Sequence, residues 1–299
     1  MRIGYPCINN SIEYSTNNTF RLVSYSEDRL IQTIDKNLES LLQILKFNLD
    51  NDILFFRIGS GIIPFASHEI CKLNWRSYFK DKLAEIGLFI KQHNMRISMH
   101  PSQFVLINAL NPKIVACSIA ELNYHCNFLD ALELDAKAKV QIHVGGVYGD
   151  KQAALNRFIA NYKDLPGDIK KRLVIENDDR LFSTQNCLYI HSQVGIPIIF
   201  DNLHFYCLND GESMIDAFLA ARETWNFDID GIPMLDYSTQ DLTSANIGKH
   251  TKTIDEEDFR EFLSIIKDYD SDIMLEIKDK EKSTIIALNI LQKVIFQVI

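Results

Sequence analysis

Short apolar runs separated by longer amphipathic stretches dominate the pattern of this chain. Ile196–Phe200 shows the type, because it is wholly apolar and contains β-branched residues, as expected of a strand buried on both faces. Runs of this kind recur along the whole sequence and predict eight strands. The predicted strands are Met1–Tyr5, Ile53–Arg57, Met95–Met99, Val140–Val144, Leu173–Glu176, Ile196–Phe200, Ile232–Leu235 and Ile273–Ile277.

The stretches between these runs have helical spacing and recognisable start signals. Ser26 can cap the first helix, in which leucines and isoleucines recur every three or four residues. Asn111 and Pro112 supply a cap and a first helical residue for another helix. Thr253 and Glu256 have the spacing of a capping box, which predicts the start of a helix before the last strand.

Strands and helices therefore alternate strictly, and the closing helix runs from Lys280 towards Ile299. No linker-like segment interrupts this alternation, so we expect a single domain over residues 1–299. The pattern predicts an α/β fold, a (β/α)8 TIM barrel. An open sheet of eight parallel strands would produce the same alternation.

Composition and charge narrow the class of protein. Apolar residues make up 46% of the chain and charged residues 24%, as in globular proteins, and the six cysteines show no CxxC spacing. No segment resembles a signal peptide or reaches the roughly 18 apolar residues of a membrane span, so we expect a cytoplasmic protein without a membrane partner. The net charge of −9 argues against a nucleic-acid surface, but it weighs little if the acidic residues bind cations.

Histidines and carboxylates stand at or just beyond the C-terminal ends of the predicted strands. In a barrel these ends meet on one face, where such enzymes have their active sites. Each residue alone has a structural explanation, such as a capping aspartate or a histidine bonded to a carbonyl group. Together they would be unstable on one face without cations. The set comprises Tyr5, His68, His100, His143, Glu176, Asp201, His204, Asp236, His250 and Glu276.

This mixture of imidazole and carboxylate groups predicts a site for divalent metal ions. Such ligands suit Mn²⁺, Zn²⁺ or Fe²⁺ better than Mg²⁺ or Ca²⁺, and they are too many for one ion, so we expect two or three. Ions about 3.5–4 Å apart can stabilise the attacking and leaving oxygens of a phosphodiester displacement. The sequence has no P-loop, GxSxG or dinucleotide-binding motif in its proper context, so we expect no nucleotide cofactor.

Motifs spread over nearly the whole chain make it resemble the UV damage endonucleases, which are related in fold to endonuclease IV. The resemblance implies a TIM barrel with up to three divalent ions, usually manganese, with zinc or magnesium as alternatives. It implies an enzyme that nicks damaged double-stranded DNA on the 5′ side of pyrimidine photoproducts. We also expect the protein to be a monomer. The motifs are Arg2–Cys7, Phe56–Gly59, Ile63–His68, Met99–Gln103, His143–Gly149, Ile175–Asp179, Asp201–His204, Gly248–His250 and Leu275–Lys278.

The resemblance also implies roles for individual residues. Glu176 is implied to bridge two metal ions and His68 to lie beside the scissile phosphate, which makes them the expected catalytic residues. Tyr5 and Asn9 are implied to contact the substrate. The implied metal ligands are His100, His143, Glu176, Asp201, His204, His250 and Glu276.

Two places depart from the family pattern. The family's Gln-Tyr pair, which probes the damaged step, corresponds here to Gln103 and Phe104, and Phe keeps an apolar wedge but lacks the hydroxyl. On strand seven the family has Lys-x-His, with the lysine often carboxylated, where this chain has Met234 and Asp236. We expect Asp236 to be a metal ligand through oxygen, whereas Met234 cannot be carboxylated. The sequence therefore does not decide whether a third metal ion binds.

Two other classes of function fit the pattern. A sugar or sugar-phosphate isomerase also has histidine and carboxylate metal ligands in a barrel, but it needs only a small pocket. A non-catalytic protein that binds DNA damage could have a weakened metal site. An endonuclease needs a basic groove beside the metal ions, and the candidates are Arg57, Arg180, Lys249, Lys278 and Lys280.

Overall fold

The computed structural model describes residues 1–296 and has eight parallel strands that close into a barrel. The strands are β1 Ile3–Pro6, β2 Phe55–Gly59, β3 Arg96–His100, β4 Lys139–His143, β5 Leu173–Glu176, β6 Ile198–Asp201, β7 Met234–Tyr237 and β8 Asp272–Leu275. Consecutive strands are hydrogen-bonded neighbours, and β1 pairs with β8 to complete the ring. The fold is the predicted (β/α)8 barrel, and the open sheet is excluded.

Helices surround the barrel and connect its strands. They are α1 Glu27–Asp50, α2 Trp75–Tyr78, α3 Lys80–Gln92, α4 Pro112–Ala131, α5 Lys151–Asp164, α6 Gly167–Lys170, α7 Thr184–Val194, α8 Asn202–Cys207, α9 Met214–Arg222, α10 Phe227–Asp230, α11 Glu256–Ile266 and α12 Glu281–Phe296. The long helices follow the predicted alternation, whereas the short helices α2, α6, α8 and α10 were not predicted as separate elements. None of the described helices is long and apolar enough to cross a membrane.

The observed helix starts test the predicted capping residues. Ser26 and Asn111 accept hydrogen bonds from backbone N–H groups in the first turns of α1 and α4, as predicted. The predicted capping box of Thr253 and Glu256 is wrong, because Asp255 directly precedes α11 and accepts from two N–H groups of its first turn. The predicted closing helix is present as α12, and its last predicted residues, 297–299, lie outside the described part of the chain.

An apolar layer crosses the inside of the barrel. It forms a cluster separate from the main core between the barrel and the helices. Successive strand side chains point to opposite faces, so residues two positions further along each strand form the next layer towards the C-terminal ends. The interior apolar layer comprises Phe55, Val174, Ile199, Trp225, Met234 and Met274. The polar layer above it contains Arg57, Glu176, Asp201, Asp236 and Glu276.

Buried ion pairs close the opposite, N-terminal end of the barrel. Asp272, the first residue of β8, accepts hydrogen bonds from Arg96 at 3.1 Å and from Arg2 at 3.2 Å. Lys139, the first residue of β4, donates to Asp230 at 2.6 Å. Arg2 and Arg96 share the carboxylate of Asp272, and Lys139 has that of Asp230, so each charged group at this end has a direct partner of opposite charge.

We expect Gly87→Ala to destabilise the fold by about 1–3 kcal/mol. A Cβ at Gly87 in α3 would lie 1.9 Å from the carbonyl oxygen of Leu132, just after α4, so the two helices would have to separate. Alanine is intrinsically more favourable in a helix than glycine by about 1 kcal/mol. A net loss of stability in Gly87→Ala would therefore show that the clash with Leu132 outweighs this gain. The free energy of unfolding, measured by urea denaturation, tests this.

Gly167→Ala is the matched control for this prediction. A Cβ at Gly167, in the first turn of α6, has no atom within 4 Å. We therefore expect its stability to change by no more than about 1 kcal/mol. Equal stabilities for Gly87→Ala and the wild type would contradict the proposed close approach of α3 to the segment after α4.

Candidate metal centre

Glu176, the last residue of β5, is buried with only 1% of its surface exposed, and three histidines surround its carboxylate. Its Oε2 lies 3.3 Å from Nε2 of His100 at the end of β3. Its Oε1 lies 3.5 Å from Nε2 of His143 at the end of β4 and 3.2 Å from Nδ1 of His204. The structure therefore brings together four of the residues that the sequence predicted at the strand ends.

The short helix α8 explains how His204 reaches this group. Asp201, the last residue of β6, caps α8, because its Oδ1 accepts a hydrogen bond from the backbone N–H of His204 at 2.7 Å. The Asn177 side chain exchanges two hydrogen bonds with the Asp201 backbone, at 2.9 and 3.0 Å, and so joins the ends of β5 and β6. Asn177 had no predicted role beyond its place in a motif.

His250 and Glu276 extend the cluster on the side of β8. His250 lies in the long loop after β7, which an antiparallel bridge between Gln240 and His250 holds in place. Nδ1 of His250 is 2.6 Å from the backbone oxygen of Glu276, and its Nε2 is 3.7 Å from the Glu276 carboxylate. The ring centroids of His204 and His250 are 6.1 Å apart, so this pair adjoins the residues around Glu176.

Burial and mutual charge shift the pKa values of the cluster in opposite directions. Burial would raise the pKa of Glu176, but the charge of His143 and a hydrogen bond from His100 hold it well below its usual range. Burial lowers the pKa of His143. Burial would also lower the pKa of His204, but the carboxylates of Asp201 and Glu176 outweigh it and raise that pKa to about 11. Without another cation, the His204 imidazole therefore keeps its proton and the Glu176 carboxylate stays ionised.

The donor atoms fit divalent metal ions. Oδ2 of Asp201 is buried and accepts no hydrogen bond among the described residues, and the nearest charged group that faces it is Nδ1 of His204 at 3.5 Å, so this oxygen is available to a cation. His100 and His250 place Nδ1 against backbone carbonyl oxygens at 2.9 and 2.6 Å, which leaves Nε2 as the ligand atom. Two sets have their ligand atoms within 4.8 Å of one another and share one glutamate: His100, His143 and Glu176, and Glu176, Asp201 and His204.

Arg57 was predicted to lie in a DNA-binding groove, but in the structure it lies inside the barrel. Its side chain is 2% exposed and points into the barrel, where it donates to Asp236 at 2.6 Å, to Gln141 at 2.7 Å and to Glu276. A guanidinium enclosed in this way cannot reach DNA, so the prediction is wrong. The alternation of β2 contains the missed signal, because Arg57 is two positions beyond Phe55 of the interior apolar layer.

Asp236 is fully buried, and both of its carboxylate oxygens have partners other than the histidines. Oδ1 accepts from Arg57 and Oδ2 accepts from Nε2 of Gln141, each at 2.6 Å. The same Gln141 amide also donates to Glu176. Asp236, like His250 and Glu276, belongs to neither of the two ligand sets, but it differs from them in having both of its oxygens bonded to Arg57 and Gln141. Gln141 was not predicted as part of the site, although it lies two positions before His143 on β4 and so shares the face of that histidine.

Two predicted substrate contacts are buried in the structure. Tyr5 is 0% exposed, and its hydroxyl donates to Asn48 at 2.6 Å and accepts from Asn9 at 2.8 Å. Asn9 is 6% exposed, and its side-chain oxygen accepts from the backbone of Ser11 at 2.8 Å. The polar atoms of both residues are bonded internally in this structure, and their contact with a substrate stays a prediction. The pair instead fixes the loop after β1.

The other predicted surface residues are accessible. His68 is exposed in the loop after β2, and Gln103 and Phe104 are exposed in the loop after β3, where 76% of Phe104 is accessible. Among the predicted basic residues, Arg180, Lys249 and Lys278 are exposed, and Lys280 is half-buried. The loop after β7 also exposes Leu242, which the sequence analysis did not single out.

Comparison with known proteins identifies close relatives. A family model described as UV-endonuclease UvdE matches residues 1–296. The UV DNA damage endonuclease of Clostridium perfringens is 43% identical over 295 residues, which is 98% of this chain and 71% of the relative. The UV DNA damage endonuclease of Bacillus cereus strain G9842 is 35% identical over 258 residues, 85% of this chain and 80% of the relative.

Solved structures agree with these sequence relationships. The crystal structure of SacUVDE superposes with a TM-score of 0.94 at 45% identity and covers 98% of this chain and 99% of its own. Endonuclease IV from Thermus thermophilus has a TM-score of 0.59 at 13% identity, covering 86% of this chain and 94% of its own, and shares the fold alone. Because the family match spans every described residue and the relatives are this similar, the chain belongs to the UV-endonuclease UvdE family.

Proposed function

We propose that this chain is a DNA-repair endonuclease that nicks UV-damaged double-stranded DNA on the 5′ side of a photoproduct, using two or three divalent metal ions. Family membership supports the endonuclease activity and the repair of UV damage. The observation that supports metal-dependent cleavage is the buried Glu176 carboxylate within 3.5 Å of three imidazole nitrogens. Mn²⁺ is the preferred ion of the proposal, with Zn²⁺ or Mg²⁺ as alternatives.

In this proposal the residues at the strand ends hold the ions. Glu176 belongs to both ligand sets and would bridge two ions, and Oδ2 of Asp201, which accepts no hydrogen bond among the described residues, would complete the second site. When bound, the ions stabilise the charge on the attacking and leaving oxygens of the phosphodiester. The proposed ligands are His100, His143, Glu176, Asp201, His204, His250 and Glu276.

His68 is proposed to contact the scissile phosphate through one defined atom. The backbone N–H of Ile70 donates to Nδ1 of His68 at 3.0 Å. In the neutral ring the proton is then on Nε2, and this nitrogen can donate to a phosphate oxygen. The exposed position of His68 in the loop after β2 is compatible with this role.

DNA recognition is proposed to use the exposed loops of the same barrel face. Phe104 is accessible enough to enter a base step as an apolar wedge, and Gln103 beside it can bond to an unpaired base. Arg180, Lys249 and Lys278 offer positive charge to the phosphates. The bound ions would add to this charge and offset the negative net charge of −9 near the site.

The sugar-isomerase alternative is supported by fold alone. D-psicose 3-epimerase from Clostridium cellulolyticum H10 has a TM-score of 0.56 at 13% identity, covering 84% of this chain and 92% of its own. The match to SacUVDE at 45% identity over 98% of the chain favours the endonuclease. The monomeric state and the cytoplasmic location stay predictions, as do the lesion range and the metal identity.

We expect Glu176→Gln to lower nicking of UV-irradiated DNA by more than about 100-fold while the protein stays folded. The amide keeps the size of the side chain but cannot bridge two cations. Glu85→Gln, an exposed change in α3, should nick like the wild type. The assay is nicking of a lesion-containing duplex in excess Mn²⁺, with circular dichroism as the folding check. Near-normal nicking by a folded Glu176→Gln variant would refute the bridging role.

Replacing both Gln103 and Phe104 by alanine should weaken discrimination between damaged and intact duplex by about tenfold or more. Loss of stacking costs about 1–3 kcal/mol per base, whereas the metal ligands are untouched. Leu88→Ala, an exposed apolar change on α3, is the control and should preserve selectivity. Comparison of cleavage rates on the two duplexes measures the ratio. An unchanged ratio in the double variant would place the damage probe in another loop.

Mn²⁺ binding should release protons, and its affinity should rise with pH. The pKa of His204 is raised to about 11 without metal, so the imidazole is protonated at neutral pH and must lose its proton to bind an ion. The apparent affinity should therefore increase from about pH 6 to about pH 8, by up to tenfold per pH unit for each proton released. Isothermal titration calorimetry in buffers of different ionisation enthalpy counts the protons. Proton uptake, or affinity that falls with pH, would contradict this.

A further inference from the structure

A buried arginine occupies the part of the barrel where strand seven would contribute to a metal site. Arg57 is 2% exposed, and its guanidinium donates to Asp236 at 2.6 Å and to Glu276. Both acceptors were expected to be metal ligands, and the sequence marked this side of the centre as the place where the chain departs from its family. A permanent positive charge therefore lies between two carboxylates that were assigned to a metal ion.

The surroundings of Arg57 hold this arrangement in place. Gln141 accepts from Arg57 at 2.7 Å through Oε1 and donates to Oδ2 of Asp236 at 2.6 Å through Nε2. Each Asp236 oxygen thus has its own donor, which distinguishes it from Asp201, whose Oδ2 has none among the described residues. If Asp236 turned towards a metal ion, it would leave a buried guanidinium and a buried amide without acceptors.

The neighbouring position on β7 offers no ligand either. Met234 is 2% exposed and belongs to the interior apolar layer with Phe55 and Val174. Its thioether fills space among apolar side chains and carries no charge that could hold a hard divalent ion such as Mn²⁺. Within the described residues, β7 therefore contributes one carboxylate, and that carboxylate is paired with Arg57.

We infer that Arg57 takes the place of a third cation: its guanidinium engages Asp236 and limits the centre to two divalent ions. This inference rests on the proposed metal centre and deepens it. Both oxygens of Asp236 are occupied, by Arg57 and Gln141, whereas Glu276 is bonded to Arg57 through Oε1 alone and its Oε2 faces His250 at 3.7 Å. Glu176, Asp201 and Oε2 of Glu276 therefore remain for the two ions. A further divalent ion beside Asp236 would stand next to an arginine that cannot lose its proton.

The number of bound Mn²⁺ ions tests this inference without an activity assay. Equilibrium dialysis followed by elemental analysis should find about two ions per wild-type chain. Asp236→Asn should keep about two, since the residue is not a ligand. Arg57→Met removes the partner of Asp236 and should bind a further ion, and adding Asp236→Asn to Arg57→Met should abolish that further ion. Thermal unfolding should show a larger Mn²⁺-induced rise in Tm for Arg57→Met than for the wild type.

Arg96→Met is the matched control for the loss of a buried arginine. Arg96 pairs with Asp272 at 3.1 Å at the other end of the barrel, and its replacement should leave the ion number unchanged. A third ion in the wild type, or loss of an ion in Asp236→Asn, would overturn the inference, as would an unchanged ion number in folded Arg57→Met. If Arg57→Met does not fold, the Asp236→Asn result decides. A wild-type chain that binds no Mn²⁺ would instead refute the metal centre itself.

Discussion

The structure depends on one constraint, which is the need to compensate the charge of the buried Glu176 carboxylate. A carboxylate withdrawn from water is stable only if cations or hydrogen-bond donors replace its hydration. The barrel supplies these from several elements: His100 from β3, Gln141 from β4 and His204 from α8 all face Glu176. The ends of β3, β4 and β5 and the turn after β6 must therefore keep their register for the site to exist.

Much of the architecture could be predicted from the sequence because it follows from repeating patterns. Buried parallel strands and amphipathic helices have periodic signatures, and the barrel and most strand-end histidines followed from them. The inward direction of Arg57 and the partners of Asp236 could not be predicted, because they depend on which side chains meet across the barrel. The internal hydrogen bond of Tyr5 could not be predicted for the same reason, since its hydroxyl donates to Asn48 of α1, which is distant in sequence.

Fold and chemistry carry separate information in this protein. Barrels that share the fold at 13% identity include an endonuclease and a sugar epimerase, so the fold does not choose between DNA and sugars. Whether such a barrel acts on DNA or on a sugar depends on the residues of the polar layer and of the loops above it. Two buried residues of that layer, Arg57 and Gln141, determine through their hydrogen bonds which carboxylates stay available. Chemical specificity in this family member therefore extends below the surface of the site into the barrel interior.

The sealed end of the barrel bears on how ions enter and leave. Below Glu176 lie the interior apolar layer and the ion pairs of Asp272 and Lys139, so ions reach the cluster from the face that carries the loops. DNA bound across that face would cover the same route. If the proposed ions and DNA bind at this face, metal exchange and DNA binding would be kinetically linked: the ions would load before the duplex docks, and a chelator would extract them only after the duplex departs.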